Sequence, residues 1–458
     1  MKVIICGAGQ VGWQLARYLS KEGNDVTVVD NQPALVARAT DTLDVGGLTG
    51  FASHPDVLAA AGAEDAEMVI AATYSDEVNM VVCQIAHSVF RVPRKIARLR
   101  AQSYLDVIYS DLYQRDHLPI DVVISPEKEV ADAALRQLSA PQSFEVEAFL
   151  ENQITMLGMT VGADCPVVNT PLRQLTELFS TLSAYVAGIR RDRHLFVPKP
   201  EDQIYAGDQV YVFTRTQDIV RTQEVFGKTL IKQERVLIIG GGSIGLRVAS
   251  ELESRVDRVR CRVIERDRAQ AEEAADLLEK TVVLHGDGLD LEILQEANIA
   301  ATDAVLCVTD DDKTNLLASA RAKTAGAKMA IALINDTSLT SMMDTVGADS
   351  FLNPRATTVS SILRHIRHGR VRAVHAIGDA EAEVMELQTL ANSDVAGKTL
   401  DAIEFPDGAR IVAVRQGNKV LRPTGQLRLE EGDFVVVFAM ASAVRTVETM
   451  FQVGVDFF

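Results

Sequence analysis

Apolar and polar positions along this chain follow two rhythms, and each predicts a different kind of module. Short apolar runs at Val3–Cys6, Val26–Val29, Met68–Ala71 and Ile96–Leu99 are separated by amphipathic stretches of helical period. That is the pattern of a parallel sheet whose strands are joined by crossover helices. Farther along, β-branched runs crowd together between turn sequences such as Pro406-Asp407-Gly408, Gln416-Gly417-Asn418 and Glu431-Gly432-Asp433. These predict a small α+β module. No apolar run is long enough to span a bilayer, and Met1-Lys2 leads into a strand without the layout of a signal peptide, so the expected location is the cytoplasm.

Both rhythms occur twice. The first half opens Val3-Ile4-Ile5-Cys6-Gly7-Ala8-Gly9-Gln10-Val11-Gly12 and the second Val236-Leu237-Ile238-Ile239-Gly240-Gly241-Gly242-Ser243-Ile244-Gly245. Gly7 and Gly240, Asp30 and Glu265, and Thr73 and Thr309 keep nearly constant spacing, and the run from Ala206 to Phe213 is echoed from Glu431 to Phe438. Such a period means duplication of a two-module unit. The expected fold class is α/β, with two Rossmann-like doubly wound parallel-sheet domains at 1–140 and 235–372. A small α+β domain follows each, at 141–225 and 373–458, with a linker at 226–234.

Composition narrows the function. Lys+Arg 46 against Asp+Glu 63 gives a net charge of -17, which argues against nucleic acid as a partner because phosphates demand a basic footprint. The five cysteines are scattered without a Cys-x-x-Cys pair and read as small buried hydrophobes. His365 and His368 have helical spacing, but the basic run around them opposes a cation, and no metal site is expected.

The glycines carry the first specific chemistry. Gly7, Gly9 and Gly12 follow a strand and open a helix, as do Gly240, Gly242 and Gly245. The first glycine permits the turn, the second lets backbone approach a pyrophosphate, and the third lets helix pack on strand. Phosphate would then sit on the helix N-terminus, at the N–H groups around Gln10 and Val11 in one copy and Ser243 and Ile244 in the other. Asp30, followed by Asn31, and Glu265, followed by Arg266, end the second strand of each copy, where a carboxylate accepts ribose hydroxyls and disfavours a 2′-phosphate. Thr73-x-x-Asp76-Glu77-x-Asn79 and Thr309-x-x-Asp312-Lys313-x-Asn315 each follow another strand, and their Thr and Asp are expected to cap the next helix at the sheet's ligand-binding edge. Gly50 is followed by Phe51 where Gly286 is followed by Asp287, leaving the floor of the first site less polar.

This alternation of modules resembles the double RCK (KTN) family of regulators of bacterial Trk potassium uptake. The likeness covers essentially the whole chain, with specific stretches at 52–73, 75–80 and 95–100 and in the closing Gly454-Val455-Asp456-Phe457-Phe458. The resemblance implies that the small modules are RCK-C domains and that the chain is a homo-oligomer, a tetrameric ring peripheral to the inner face of the cell membrane. It implies a TrkH- or TrkG-type membrane potassium transporter as partner, and NAD(H), ATP or ADP as ligands. No catalytic residue is expected. The competing class is an NAD-dependent oxidoreductase, but the module after each Rossmann unit lacks a cluster suited to acid–base work. A nucleotide sensor without a membrane partner is a third reading.

Two asymmetries predict different ligands for the halves. Arg98 and Arg100, two residues apart near the carboxyl end of a strand, become Leu333 and Asn335 in the second copy. Guanidinium forks suit terminal phosphates, so the first half is expected to take ATP and ADP; an ion pair of these arginines with Asp76 or Glu77, or simple solvent exposure, is the alternative. The second half is expected to favour NAD(H), with Glu265 on the ribose and Arg266 placed to stack on adenine or reach a phosphate; Arg266 solvated beside Asp267 and Arg268 is the alternative.

Overall fold

The structure, a computed structural model of the chain, describes all residues except 115, 179–183, 229–233, 255–258, 343–346, 367–370, 379–380 and 453–458. His368, most of the expected linker and the closing Phe-Phe therefore lie outside the described residues. By contact the chain divides into one unit of Met1–Val130 with Pro354–Ile366, and another of Ala131–Asn353 with Arg367–Phe458.

The first unit is built on a parallel sheet of six strands, β1 (Lys2–Cys6), β2 (Asp25–Asp30), β3 (Gly46–Thr49), β4 (Met68–Ala71), β5 (Arg94–Arg98) and β6 (Val122–Ile124), ordered β3-β2-β1-β4-β5-β6. Val3, Ile4, Ile5 and Cys6 are fully buried, as a central strand covered on both faces requires. The strand order reverses between β1 and β4, which opens a crevice at their carboxyl ends. The helix Pro354–Ile366 is expected from its position in the sequence to belong with the second sheet. In space it packs in this unit, on the helix Gln10–Lys21 and on β6, and Arg364 Nη2 lies 2.8 Å from Glu129.

The second unit contains the copy of that sheet: β12 (Arg235–Ile239), β13 (Arg260–Glu265), β14 (Val282–His285), β15 (Ala304–Cys307), β16 (Met329–Leu333) and β17 (Ser350–Leu352), in the order β14-β13-β12-β15-β16-β17. It also holds two antiparallel sheets. One runs β10-β9-β11-β8-β7, from β7 (Glu145–Phe149), β8 (Ile154–Thr160), β9 (Tyr185–Arg191), β10 (His194–Phe196) and β11 (Gln209–Arg215). The other runs β18-β19-β22-β20-β21, from β18 (Val371–Ile377), β19 (Ala382–Gln388), β20 (Ala409–Gln416), β21 (Lys419–Leu421) and β22 (Phe434–Met440).

These two sheets share one core in which Phe149, Met156 and Phe213 meet Val384, Val436 and Phe438. A Cβ on Gly188 would stand 2.6 Å from the Phe438 ring, so glycine is what lets the sheets approach there. The strand registers show which residues are copies of one another. Tyr185 lies opposite Phe213 as Arg410 lies opposite Phe438, and Glu147 opposite Met156 as His375 lies opposite Val384. Arg410 Nη1 donates to Tyr185 Oη at 2.9 Å; His375 Nε2 is 2.6 Å from Glu145 and Nδ1 is 3.8 Å from Glu147. Two identical modules about a twofold axis must present the same residue to each other there, whereas a duplicated chain is free to place unlike residues face to face. Burial of His375 favours the neutral ring, but the hydrogen bond to Glu145 and the charges of Glu145 and Glu147 outweigh it and hold its pKa above the ordinary value.

All five cysteines are buried and free, and burial pushes the Cys83 and Cys307 thiols up to about 12. His365 is half-buried; burial and the neighbouring Arg364 and Arg94 lower its pKa. Among the described residues no cluster of three metal-ligating side chains occurs, and no helix is long and apolar enough to cross a membrane.

Candidate nucleotide sites

The two glycine loops share one backbone. Gly7 and Gly240 adopt φ of 110 and 112, a region only glycine enters freely, and a Cβ on Gly7 would lie 2.8 Å from the Ala72 carbonyl oxygen. A Cβ on Gly12 would be 1.8 Å from the Gly7 oxygen, and one on Gly245 2.0 Å from the Gly240 oxygen. The third glycine therefore sets the distance between helix and strand. Gly9 and Gly242 differ in kind, since a Cβ on either would meet nothing within 4 Å. The open space faces the N-terminus of the helix Gln10–Lys21, where Gly9 offers no side-chain cap and the first turn closes with Trp13 N on Gly9 O at 2.8 Å. The N–H groups ahead of Trp13 lie outside the helix ladder. In the copy the helix Ser243–Ser254 starts in the same way, with Leu246 N on Gly242 O at 2.9 Å. Both cradles thus fit a phosphate in their free space and in their donors.

The acidic residues are tied to these loops. Asp30 accepts Ala8 N at 2.7 Å and Gln32 N at 2.8 Å, and Glu265 accepts Gly241 N at 2.6 Å and Asp267 N at 2.8 Å. Each carboxylate keeps lone pairs for further donors. The residue between the first two glycines varies with the length of the acid. A Cβ on Gly241 would stand 3.2 Å from Glu265 Cγ and 3.3 Å from Oε2, so the longer acid is matched by glycine and the shorter Asp30 by Ala8. Asn31 and Arg266 are exposed beside their acids. Gly50 and Gly286 hold a different place from the other glycines, because a Cβ there would press on Val57 at 2.9 Å or Ile293 at 2.7 Å; their smallness serves helix packing.

The loops after β4 and β15 correct one expectation. Thr73 and Thr309 do not cap the following helices; Ser75 and Asp311 do, accepting Val78 N at 3.3 Å and Thr314 N at 2.6 Å. Each threonine lies two residues too early and donates its hydroxyl, at 2.7 Å in both copies, to Asn79 or Asn315. Those fully buried asparagines reach across to the Arg98 and Leu333 carbonyls at 2.8 and 3.0 Å, joining neighbouring strand ends. Asp76 and Asp312 are not caps either. Asp76 accepts Arg100 N at 2.9 Å and Ala101 N at 2.8 Å, and Asp312 accepts Asn335 N at 2.8 Å and Asp336 N at 2.7 Å. They shape the exit of the next strand. Exposed Glu77 accepts from the Ser75 hydroxyl, a hydrogen bond that lowers its pKa.

The walls of the two crevices diverge. Arg98 and Arg100 converge near Tyr74, Asp76 and Glu127. Arg100 Nε is 3.0 Å from Glu127 and its guanidinium lies 5.5 Å from the Tyr74 ring centre. Its ion-pair partner is thus Glu127, rather than Asp76 or Glu77. Burial opposes the Arg100 charge, but the hydrogen bond and charge of Glu127 hold its pKa up. Arg98 has no such carboxylate among the described residues. Its Nε is buried without a partner, and burial together with Arg100 lowers its pKa. An orphaned donor on a buried cation is a site for an anion. Leu333 and Asn335 replace this pair in the copy, and Asn335 Nδ2 only donates back to Asp312 at 2.9 Å. Phe51 is exposed against His54, with ring centres 5.4 Å apart, whereas Asp287 accepts Leu289 N at 2.8 Å. Tyr74 escaped the sequence reading, and the signal for it was its replacement by Asp310 in the copy. Glu127 carried no signal of its own, because only the β5–β6 pairing brings its helix beside Arg100.

Comparison with known proteins adds ancestry to this geometry. Residues 3–126 and 236–354 match the TrkA-N domain, and residues 156–227 and 384–452 match the TrkA-C domain. The chain is similar to the Trk system potassium uptake protein TrkA of Azorhizobium caulinodans, 45% identical over 458 residues and covering 100% of both chains. It is also similar to the protein of that name from Halomonas elongata, 35% identical over 464 residues with 100% of both covered. Among solved structures, the GsuK RCK domain aligns with TM-score 0.58 at 16% identity, covering 98% of this chain and 94% of that one. A GsuK channel bound to NAD aligns with TM-score 0.58 at 18% identity, covering 98% and 78%. At these identities the structural likeness concerns the fold.

Proposed function

The chain belongs to the family of Trk-system potassium uptake proteins built from TrkA-N and TrkA-C domains, and on that premise we propose that it is a nucleotide-sensing regulatory subunit. It gates potassium flux through a TrkH- or TrkG-type membrane transporter and performs no covalent chemistry. It works at the inner face of the cell membrane as a homo-oligomeric ring, four chains in the simplest form. The observation that carries this reading is the pair of glycine cradles, each with open space at the second glycine and a helix whose first ladder bond starts from that glycine's carbonyl. A duplicated ligand-binding domain without a substrate domain suits a sensor better than a catalyst.

In this reading the first crevice takes ATP and ADP, with Arg98 on the terminal phosphate and Arg100 held beside it by Glu127. The second takes NAD(H), with Glu265 on the adenosine ribose and exposed Arg266 against the adenine or a phosphate. Along the chain the four modules end at 140, 225, 372 and 458 with a linker to 234, and the second Rossmann module lends its helix Pro354–Ile366 to the first unit. Nucleotide shifts a ring equilibrium only if it binds two ring states with different affinity, so each ligand must contact elements whose placement differs between states. The test is potassium uptake by reconstituted transporter, with and without this subunit, across ATP, ADP, NAD and NADH. Nucleotide should alter flux only when the subunit is present, and flux indifferent to the subunit would sink the proposal. A steady-state NADH assay with small carbonyl compounds tests the oxidoreductase alternative, and turnover there would favour it.

A further inference from the structure

Beyond the nucleotide crevices, the two antiparallel sheets enclose a cavity of about 230 Å³ whose lining divides sharply by chemistry. Its floor is apolar, formed by Leu172, Leu175, Val186, Val212 and Phe226, of which Val212 is fully buried and Phe226 nearly so. Its rim carries Arg410 and Arg422 from the second small module, with Arg173 also at the lip. Among the described residues neither Arg410 nor Arg422 has a carboxylate partner, in a chain whose net charge is -17. Arg410 is held in place, because one of its nitrogens donates to Tyr185 Oη at 2.9 Å while the guanidinium lies 6.0 Å from the Tyr185 ring centre. The remaining N–H groups of its fork stay available.

We propose that this cavity binds a small organic anion with a compact apolar body, acyl or aryl, whose carboxylate pairs with Arg410 and Arg422. A dry cavity of about 150 Å³ already accommodates benzene, so this one holds a body of about six to ten heavy atoms. Apolar walls supply affinity, and the guanidinium fork fixes the head group and its orientation. Arg410 is the copy of Tyr185, so the twofold-related position across the module pair presents a phenol where this one presents a cation. One site per chain follows. The ligand bridges residues of both small modules and would stabilise their contact by mass action.

Octanoate is a suitable probe because it shares no group with a nucleotide, and acetate and 1-octanol separate its head from its body. Calorimetry on the full-length protein should show saturable octanoate binding, one per chain, with acetate and 1-octanol each weaker by at least about tenfold. Arg410→Gln should weaken octanoate by about tenfold or more, and Ala184→Phe, which fills the cavity and leaves the arginines, should abolish it. Unchanged NADH binding by both variants would show that the loss is local. Should Ala184→Phe fail to fold, Arg410→Gln and the acetate comparison still decide. Absence of saturable octanoate binding, equal affinity in Arg410→Gln, or acetate binding as tightly as octanoate would each overturn the proposal.

Discussion

The two nucleotide crevices have one backbone and two sets of walls, and the contrast separates what a Rossmann loop needs from what its ligand needs. Gly7, Gly9 and Gly12 repeat as Gly240, Gly242 and Gly245, and Thr73 with Asn79 repeats as Thr309 with Asn315, with matching distances. Gly7, Gly12, Thr73 and Asn79 answer to sterics and to buried hydrogen bonds, and Gly9 to the open space before the helix, so duplication left them alone. Ala8 and Asp30 became Gly241 and Glu265 together, a volume exchange that keeps the carboxylate on the loop N–H. Phe51, Tyr74, Arg98 and Arg100 became Asp287, Asp310, Leu333 and Asn335, which exchanges a cationic, aromatic wall for an acidic one. In the proposed reading, that change is where the two crevices would differ in ligand preference.

The common backbone should prove the most costly to break. Gly12→Ala and Gly245→Ala each push a Cβ to within 1.8 or 2.0 Å of a carbonyl oxygen, and each should cost about 3 kcal/mol in denaturant unfolding and remove nucleotide from its own half alone. Equal loss in both halves from one substitution would break the comparison. The walls come next. Arg98→Ala should weaken ATP by about 2 kcal/mol, a factor of tens, and leave NADH unaffected; Leu333→Arg should bring ATP into the second half. If the ratio of ATP to ADP affinity is indifferent to Arg98, the first crevice distinguishes phosphates by other means. The volume exchange is subtler. Gly241→Ala should cost about 1–2 kcal/mol as Glu265 is displaced, whereas Ala8→Gly should cost less than about 1 kcal/mol.

The smallest effect lies in the small modules, where the copies again differ. The first contributes Glu145 and Glu147, with Arg136 Nη2 3.1 Å from Glu147, and the second contributes His375. Because the folded pKa of His375 is raised, its stabilisation is complete below its ordinary value of 6.5 and fades as pH rises through the folded value. His375→Gln should cost about 1 kcal/mol at pH 6 and progressively less as pH rises. A cost independent of pH would mean that packing, not charge, holds this contact.

Much of this was legible in the chain because periodicity and glycine placement are local properties. The helix expected to open at the first glycine loop is Gln10–Lys21, and the apolar runs at Val3–Cys6, Val26–Val29, Met68–Ala71 and Ile96–Leu99 mark β1, β2, β4 and β5 of one parallel sheet. What escaped depends on contacts between distant segments. Thr73 resembles a cap until Asn79 is seen to take its hydroxyl, and Arg100 has acids nearby in sequence yet pairs with Glu127 from the next strand–helix connection. The pairing of Arg410 with Tyr185 needs two modules folded against each other, and no window of sequence contains both.

Calorimetric titration of the full-length protein with NADH and ATP, each alone and each after saturation with the other, tests most directly whether the two crevices have separate preferences. Two independent binding classes are predicted: ATP bound with undiminished stoichiometry in the presence of NADH, and lost selectively in Arg98→Ala. Mutual displacement at a single class of sites would contradict it.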